Sequence, residues 1–321
     1  MWHPGAVLTF GDGRERARAL VRISGQSRLA LTLMLCLVAA VVSGCFDLAM
    51  PSPDASRGDP AWSPDGEWIA YTFHKTPWGD DDVHVMRRNG GDDRPLTADY
   101  DSSSPTWSPD GKRIAFSYDA GEYEIYVMQT DGSHRRNLTR RFHGRAGDPA
   151  WSPDGKLIAF ASAGIFVMQA DGKLKRFATA GIYVIEADGK KARRIAAPAG
   201  RASDPVWSPD GTRIAYAVRA GGRESVHVVR SDGSRDRLLV RDGYSPTWSP
   251  DGKTIAFIRE SPRFSSSIGV VSPGGAGLRI IREDLGPTDS ISWSPDGRRL
   301  ARAGGGGLTV MEADGPEWHR L

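Results

Sequence analysis

Beyond residue 57, apolar and polar positions alternate in short runs. In one stretch, Arg113–Tyr118 (RIAFSY) and Glu124–Gln129 (EIYVMQ) read as strands with one face buried. A short strand precedes them at Ser104–Trp107 (SPTW), with the turn SPDG between. Another turn follows at Thr130–Gly132 (TDG), and a last strand at Arg135–Thr139 (RRNLT). No segment after the apolar run at 29–42 sustains a helical period. The pattern therefore predicts an all-β chain made of four-stranded units.

The units repeat. WSPDG begins at Trp62, Trp107, Trp151, Trp207, Trp248 and Trp293, at intervals of 45, 44, 56, 41 and 45 residues. That period is one propeller blade of four strands. Pro presets the backbone for the second position of a type I turn, and Gly takes the left-handed position that closes the hairpin. The Trp before each turn is large and mostly apolar, so it is expected to wedge between neighbouring blades. An element written six times is read as architecture, with no chemistry of its own.

The 56-residue interval has a visible cause. Ala163–Phe177 (AGIFVMQADGKLKRF) is nearly repeated at Ala180–Arg194 (AGIYVIEADGKKARR), with nine of 15 positions identical. Seventeen residues can form a hairpin but not a blade. The expectation is a six-bladed propeller over 58–321 whose third blade carries an extra hairpin, with a degenerate seventh blade as the alternative. The first copy is expected to pair directly with the preceding strand, and the second to add at the outer edge.

P-x-WSPDG-x-x-IAF followed by IYVM-x-x-DG resembles the TolB-type propeller repeat, a WD-like repeat of bacterial envelope proteins. The resemblance covers about residues 58–321. It implies the fold. The TolB family also implies an N-terminal α/β domain, for which the stretch between Cys45 and Asp59 leaves no room.

The N-terminus changes the picture of charge. The formal net charge is +3, but residues 1–44 hold Arg14, Arg16, Arg18, Arg22 and Arg28 against Asp12 and Glu15. The remainder has 37 basic and 37 acidic residues, which gives no field for nucleic acid. The apolar run Leu29–Val42 is 14 residues long, which suits a signal-peptide core and is short for a membrane span. It ends in Val42-Ser43-Gly44-Cys45, which resembles a bacterial lipobox. The expectation is a signal peptide at 1–44, lipidation at Cys45, a tether at 45–57 and export to the cell envelope. The segment before Arg28 is long for a signal n-region, which points to a translation start after Met1. An ordinary signal peptide or an uncleaved anchor is the alternative. Cys36 would be lost on cleavage, so no disulfide is expected.

In an antiparallel meander, the first and third turns of a blade share one face. The second turn and the blade-to-blade connection share the other. The first face is then monotonous, and the second carries the variable segments HKTPWGDDD, RRFHGR and RESPRFSSS. His74, Trp78, Phe142, His143, Arg145, Arg263 and Phe264 are the candidate partner contacts, since aromatic and Arg residues anchor interfaces. The plain reading is that they are solvated or pack over blade edges. Three residues before each Trp stand Asp59, Ser104, Asp148, Asp204, Ser245 and Ser290. At the entrance of the innermost strand they could ring the channel mouth and hold a cation or an amine. Alternatively, each side chain accepts a backbone N–H in its own bend.

Catalytic motifs are missing. There is no G-x-S-x-G and no H-E-x-x-H. Gly252–Thr254 resembles the end of a P-loop, but the required earlier Gly falls at Thr247. Asp99, Asp101 and Ser103 begin like a calcium loop, but Ser104 replaces its Gly. No cofactor and no metal are expected. The leading reading is a lipid-anchored, monomeric binding module for an envelope protein, peptide or glycan. The alternative is a propeller enzyme, such as a polysaccharide lyase with a metal at the channel, which would need His ligands converging there.

Overall fold

The computed structural model describes residues 56–76, 79–99, 101–119, 121–140, 142, 144–162, 165–168, 174–178, 180–261, 265–283, 285–305, 307–313 and 318–321. Cys45 with the apolar run, and Trp78, His143, Arg263 and Phe264, lie outside these residues.

The strands form six four-stranded antiparallel sheets, one per repeat, and a separate two-stranded hairpin. Blade one runs outward through Ser56–Trp62, Trp68–Thr76, Gly79–Arg87 and Arg94–Pro95. The innermost strands of blades two to six are Ser102–Trp107, Ala146–Trp151, Arg201–Trp207, Tyr244–Trp248 and Ser290–Trp293. All six end on the repeated Trp.

The SPDG turn closes as its chemistry requires. Gly66 N–H donates to the Ser63 carbonyl at 2.9 Å, with Gly66 at φ +71°. Ser63 and Asp65 then stitch the turn. Ser63 Oγ donates to Asp65 Oδ1 at 2.5 Å, and that oxygen accepts the Glu67 N–H. The Ser-to-Asp bond recurs in all six turns. It is the leading cause that holds each turn carboxyl below its usual range.

Each turn glycine rests on the proline of the preceding turn. A Cβ on Gly111 would lie 3.9 Å from Pro64 Cδ, and one on Gly297 3.5 Å from Pro250 Cδ. The series closes on itself, since a Cβ on Gly66 would lie 3.8 Å from Pro295 Cδ.

The core is divided among the six blade junctions. Trp207, Ile214 and Tyr216 of blade four pack with Ile182, Val184 and Ile195 of blade three. The seam packs Trp62, Ile69 and Tyr71 of blade one against Ala303, Leu308 and Val310 of blade six. Outer strands add an aliphatic at one repeated position, buried at Leu96, Leu138 and Ile195.

The extra hairpin is present, but its pairing differs from the expectation. Ile165–Met168 pairs with Leu174–Ala178 as a sheet of its own. The second copy, Gly181–Glu186, pairs with Leu157–Ser162 in unbroken register from Leu157↔Glu186 to Ser162↔Gly181. The blade keeps four strands and is not widened. The reason lies at the outer strand. The second copy leads to Ile195, 5% exposed, which fills the position of Leu96 and Leu138. At the aligned position the first copy has Ala178. Pairing the second copy buries more apolar surface and leaves the first as an insert at the blade's second turn.

Candidate functional site

The innermost strands bulge where the Asp/Ser series stands. Pairing registers shift at Gly58/Ala61 in blade one, Ser103/Thr106 in blade two and Ser203/Val206 in blade four. Asp59, Ser104, Asp148, Asp204 and Ser245 all have positive φ, between +46° and +54°. Blade six pairs regularly from Ser290↔Ala303 to Trp293↔Leu300. In five blades the series thus lies inside the innermost strand, where the backbone bulges, whereas Ser290 stands at the entrance of its strand.

These residues tie blade to blade. Ser290 Oγ accepts the Asp59 N–H at 3.0 Å, and Asp148 Oδ2 accepts the Asp204 N–H at 3.4 Å. Ser245 Oγ accepts the Ile291 N–H at 3.3 Å. Each acceptor serves the next blade instead of its own bend. Two further hydroxyls, which sequence reasoning missed, do the same work. Thr72 Oγ1 accepts the Ser104 N–H at 2.9 Å and donates to Asp59 Oδ2 at 3.0 Å. Ser117 Oγ accepts the Asp148 N–H at 3.1 Å. Their signal was a small Thr or Ser inside otherwise apolar and aromatic runs, AYTF and AFSY.

The carboxylates of the series repel one another. Withdrawal from bulk water and then the Asp59 charge raise the Asp148 carboxyl above its usual range. The same burial, followed by the Asp148 and Asp59 charges, pushes Asp204 up to about 8. His74 adjoins this region. Its Nδ1 lies 2.7 Å from Asp81 Oδ1, and that bond, with the nearby Asp59 and Asp289 charges, raises the imidazole.

The other partner candidates separate. Phe142 is half-buried and packs edge-on against Phe160 and Tyr183, each with centroids 5.0 Å away. It belongs to the blade core. Arg145 is exposed, with its guanidinium 4.7 Å over the Tyr123 ring. Beside it, the connection between blades one and two collects acids. Asp101 forms an isolated bridge with Asp81. Asp101 is exposed, has no side-chain partner among the described residues, and its carboxyl is raised by partial desolvation and by the Asp119, Asp99, Asp80 and Asp81 charges.

The repeated Trp residues reach into the preceding blade. Trp107, Trp207 and Trp248 donate Nε1–H to the Ala61, Ala150 and Val206 carbonyls at 3.1, 3.1 and 3.2 Å. Trp62, Trp151 and Trp293 make no such bond. Polar clusters near the outer turns also went unread in the sequence. Tyr71 donates to Asp93 at 2.5 Å, with His84 at 3.3 Å, and Tyr216 donates to Asp236 at 2.6 Å. Among the described residues, no group of three or more His, Cys, Asp or Glu is placed to hold a metal ion.

Comparison with known proteins gives a consistent result. A family model described as the TolB beta propeller domain matches residues 50–162 and 102–321. No curated protein sequence matches significantly. The structure is similar to TolB from Acinetobacter baumannii, with a TM-score of 0.59 and 19% identity over 93% of this chain and 70% of that one. It is similar to a TolB-like protein from Agrobacterium tumefaciens, with a TM-score of 0.59 and 22% identity over 77% and 88% of the two chains. An oligogalacturonate lyase from Vibrio parahaemolyticus gives a TM-score of 0.57 and 13% identity over 85% and 80%. At these identities the likeness is one of fold.

Proposed function

The chain belongs to the TolB β-propeller family, and from that premise we propose that it is a lipid-anchored binding module of the bacterial envelope. Its partner is a protein, peptide or glycan that docks on the face of second turns and blade connections. The observation that supports this most is the exposed Asp101 carboxyl, which has no side-chain partner among the described residues and lies near Asp119 and Asp80 and near two paired carboxylates, Asp99 with Arg135 and Asp81 with His74. Like charges held together on one surface are unfavourable until a cation arrives. A partner presenting Lys, Arg or an amine would relieve them, while Arg145 over Tyr123 offers an aromatic–guanidinium contact next to them. The opposite face repeats one self-satisfied turn six times and gives a partner little to tell the blades apart.

The test is capture of envelope components by the immobilised full chain. Asp101→Asn with Asp119→Asn should weaken capture about tenfold, and added salt should do the same. Lys112→Ala on the turn face should leave it unchanged. If the Lys112 variant loses capture and the Asp pair does not, the face is wrongly chosen. The anchor is tested separately: Cys45→Ser should abolish acyl labelling and release the protein from membranes. Equal membrane retention would point to an uncleaved anchor.

A further inference from the structure

The insert at blade three has the sequence of an outer half-blade, and its twin shows what such a pair of strands is built to meet. Ile182, Tyr183, Val184 and Ile185 of the twin are all buried. Ile182 and Val184 share a cluster with Trp207 and Ile214 of blade four, and Tyr183 and Ile185 share one with Ile125 and Leu138 of blade two. The edge of the same strand pairs with Leu157–Ser162. The aligned residues of the insert are Ile165, Phe166, Val167 and Met168, apolar at every position. Their strand pairs with Leu174–Ala178, from Ile165↔Ala178 to Met168↔Leu174, and the two form a sheet by themselves. Among the described residues, nothing fills for the insert the place that Leu157–Ser162 fills for the twin.

A two-stranded hairpin is marginal in water until further strands or an apolar surface join it. The two edges of this one differ. Leu174–Ala178 carries Lys175 and Arg176, the kind of charge that blunts an edge against pairing. Ile165–Met168 carries no charge. The twin has the same polarity: Arg193 and Arg194 are exposed on the outermost strand of blade three, where no further strand adds. The edge open to pairing is therefore the apolar one.

A second copy of this chain supplies the strand that fits it. Antiparallel pairing of one strand with itself about a two-fold axis consumes both open edges in a single contact. The product is a sheet of four antiparallel strands, the number in each of the six blades. A basic strand then lies at both outer edges and stops addition at two. We propose that two copies of this chain associate through the inserted hairpins, Ile165–Met168 of one pairing antiparallel with Ile165–Met168 of the other. Four residues on each side make a small interface, so the association is weak, with a dissociation constant on the order of 100 µM. The proposal goes beyond the partner reading above and does not depend on it.

The experiment sediments the full chain from about 1 µM to about 500 µM, a range that brackets such an affinity. The average mass of the parent should rise toward twice that of the monomer. Deleting Ala163–Thr179 should remove the rise, whereas association through the apolar run at 29–42 would survive the deletion. Val167→Lys and Val167→Glu should each weaken association at least tenfold, because each sets two like charges close together across the two-fold. Mixing the two variants should restore it, since the charges are then opposite. A hairpin that had merely misfolded would not be rescued by mixing, so the pair keeps the test decisive. The proposal is overturned if the parent stays monomeric throughout, if the shortened chain associates as the parent does, or if the mixture fails to associate.

Discussion

Trp207 and Phe142 show how differently two aromatic side chains of one chain can be read. Trp207 is 6% exposed and bonds the Ala150 carbonyl of the preceding blade. Trp207→Ala should cost about 3–5 kcal/mol, read from the denaturant midpoint. Phe142 stood among loop contacts in the sequence, yet it packs on Phe160 and Tyr183. Phe142→Ala should cost about 1–2 kcal/mol in the same assay, where a free loop residue would cost nothing. Asp204 gives a prediction in pH. Its carboxyl rises from the ordinary 3.8 to about 8 in the folded chain. Between those values the native state holds more protons than the unfolded one, so stability falls as pH rises through that window. Asp204→Asn should flatten the fall and be more stable than the parent at pH 8 but not at pH 4. Urea midpoints at the two pH values decide it. An identical pH slope in the variant would assign the dependence elsewhere.

The blade shows where sequence reasoning is strong and where it stops. Strands, turns and their order were legible because SPDG has few ways to close and because apolar alternation fixes which face is buried. The partner of each Asp or Ser in the innermost strands was not legible. Asp148 serves Asp204 of the next blade, and Ser104 is served by Thr72 from the preceding one. Those links depend on how blades are set side by side, which no local pattern encodes. The duplicated segment was legible as a hairpin but not in its pairing. Nine identical positions of 15 leave both copies able to enter the blade, and Ile195 against Ala178, outside the identical core, decides. Deleting Ala163–Thr179 should therefore preserve the blade, with Ser162, Ala180 and Gly181 as a three-residue turn between Ala161 and Ile182. The shortened chain should unfold in one transition at equal or up to about 1 kcal/mol higher stability, from the smaller loop-closure entropy. Loss of cooperative unfolding would show that the insert supports the blade.

The whole ring is closed without a shared strand: each blade sheet is built from strands of one repeat, with the inserted hairpin left out of the sheet of blade three. The seam packs Trp62, Ile69 and Tyr71 against Ala303, Leu308 and Val310, with Arg57 reaching the Leu321 carbonyl at 3.3 Å and the Asp59 N–H donating to Ser290 Oγ at 3.0 Å. Leu308 is fully buried there. Leu308→Ala should cost about 2–5 kcal/mol. A closed ring should transmit that loss to blade three, across the axis, as reduced amide-exchange protection of Ile158 and Val184. An open stack of repeats would lose protection only beside the seam.

The insert at the second turn of blade three has a consequence for how such a protein can change over generations. A unit of 17 residues can be copied or dropped there while every glycine of the turn ring stays on its proline, from Gly66 on Pro295 to Gly297 on Pro250. The same event at the opposite end of a blade would move a Gly off its Pro and break the circle. Heritable changes of length should therefore accumulate on one face only, and the surface free to acquire new partners is the one whose lengthening the ring does not register.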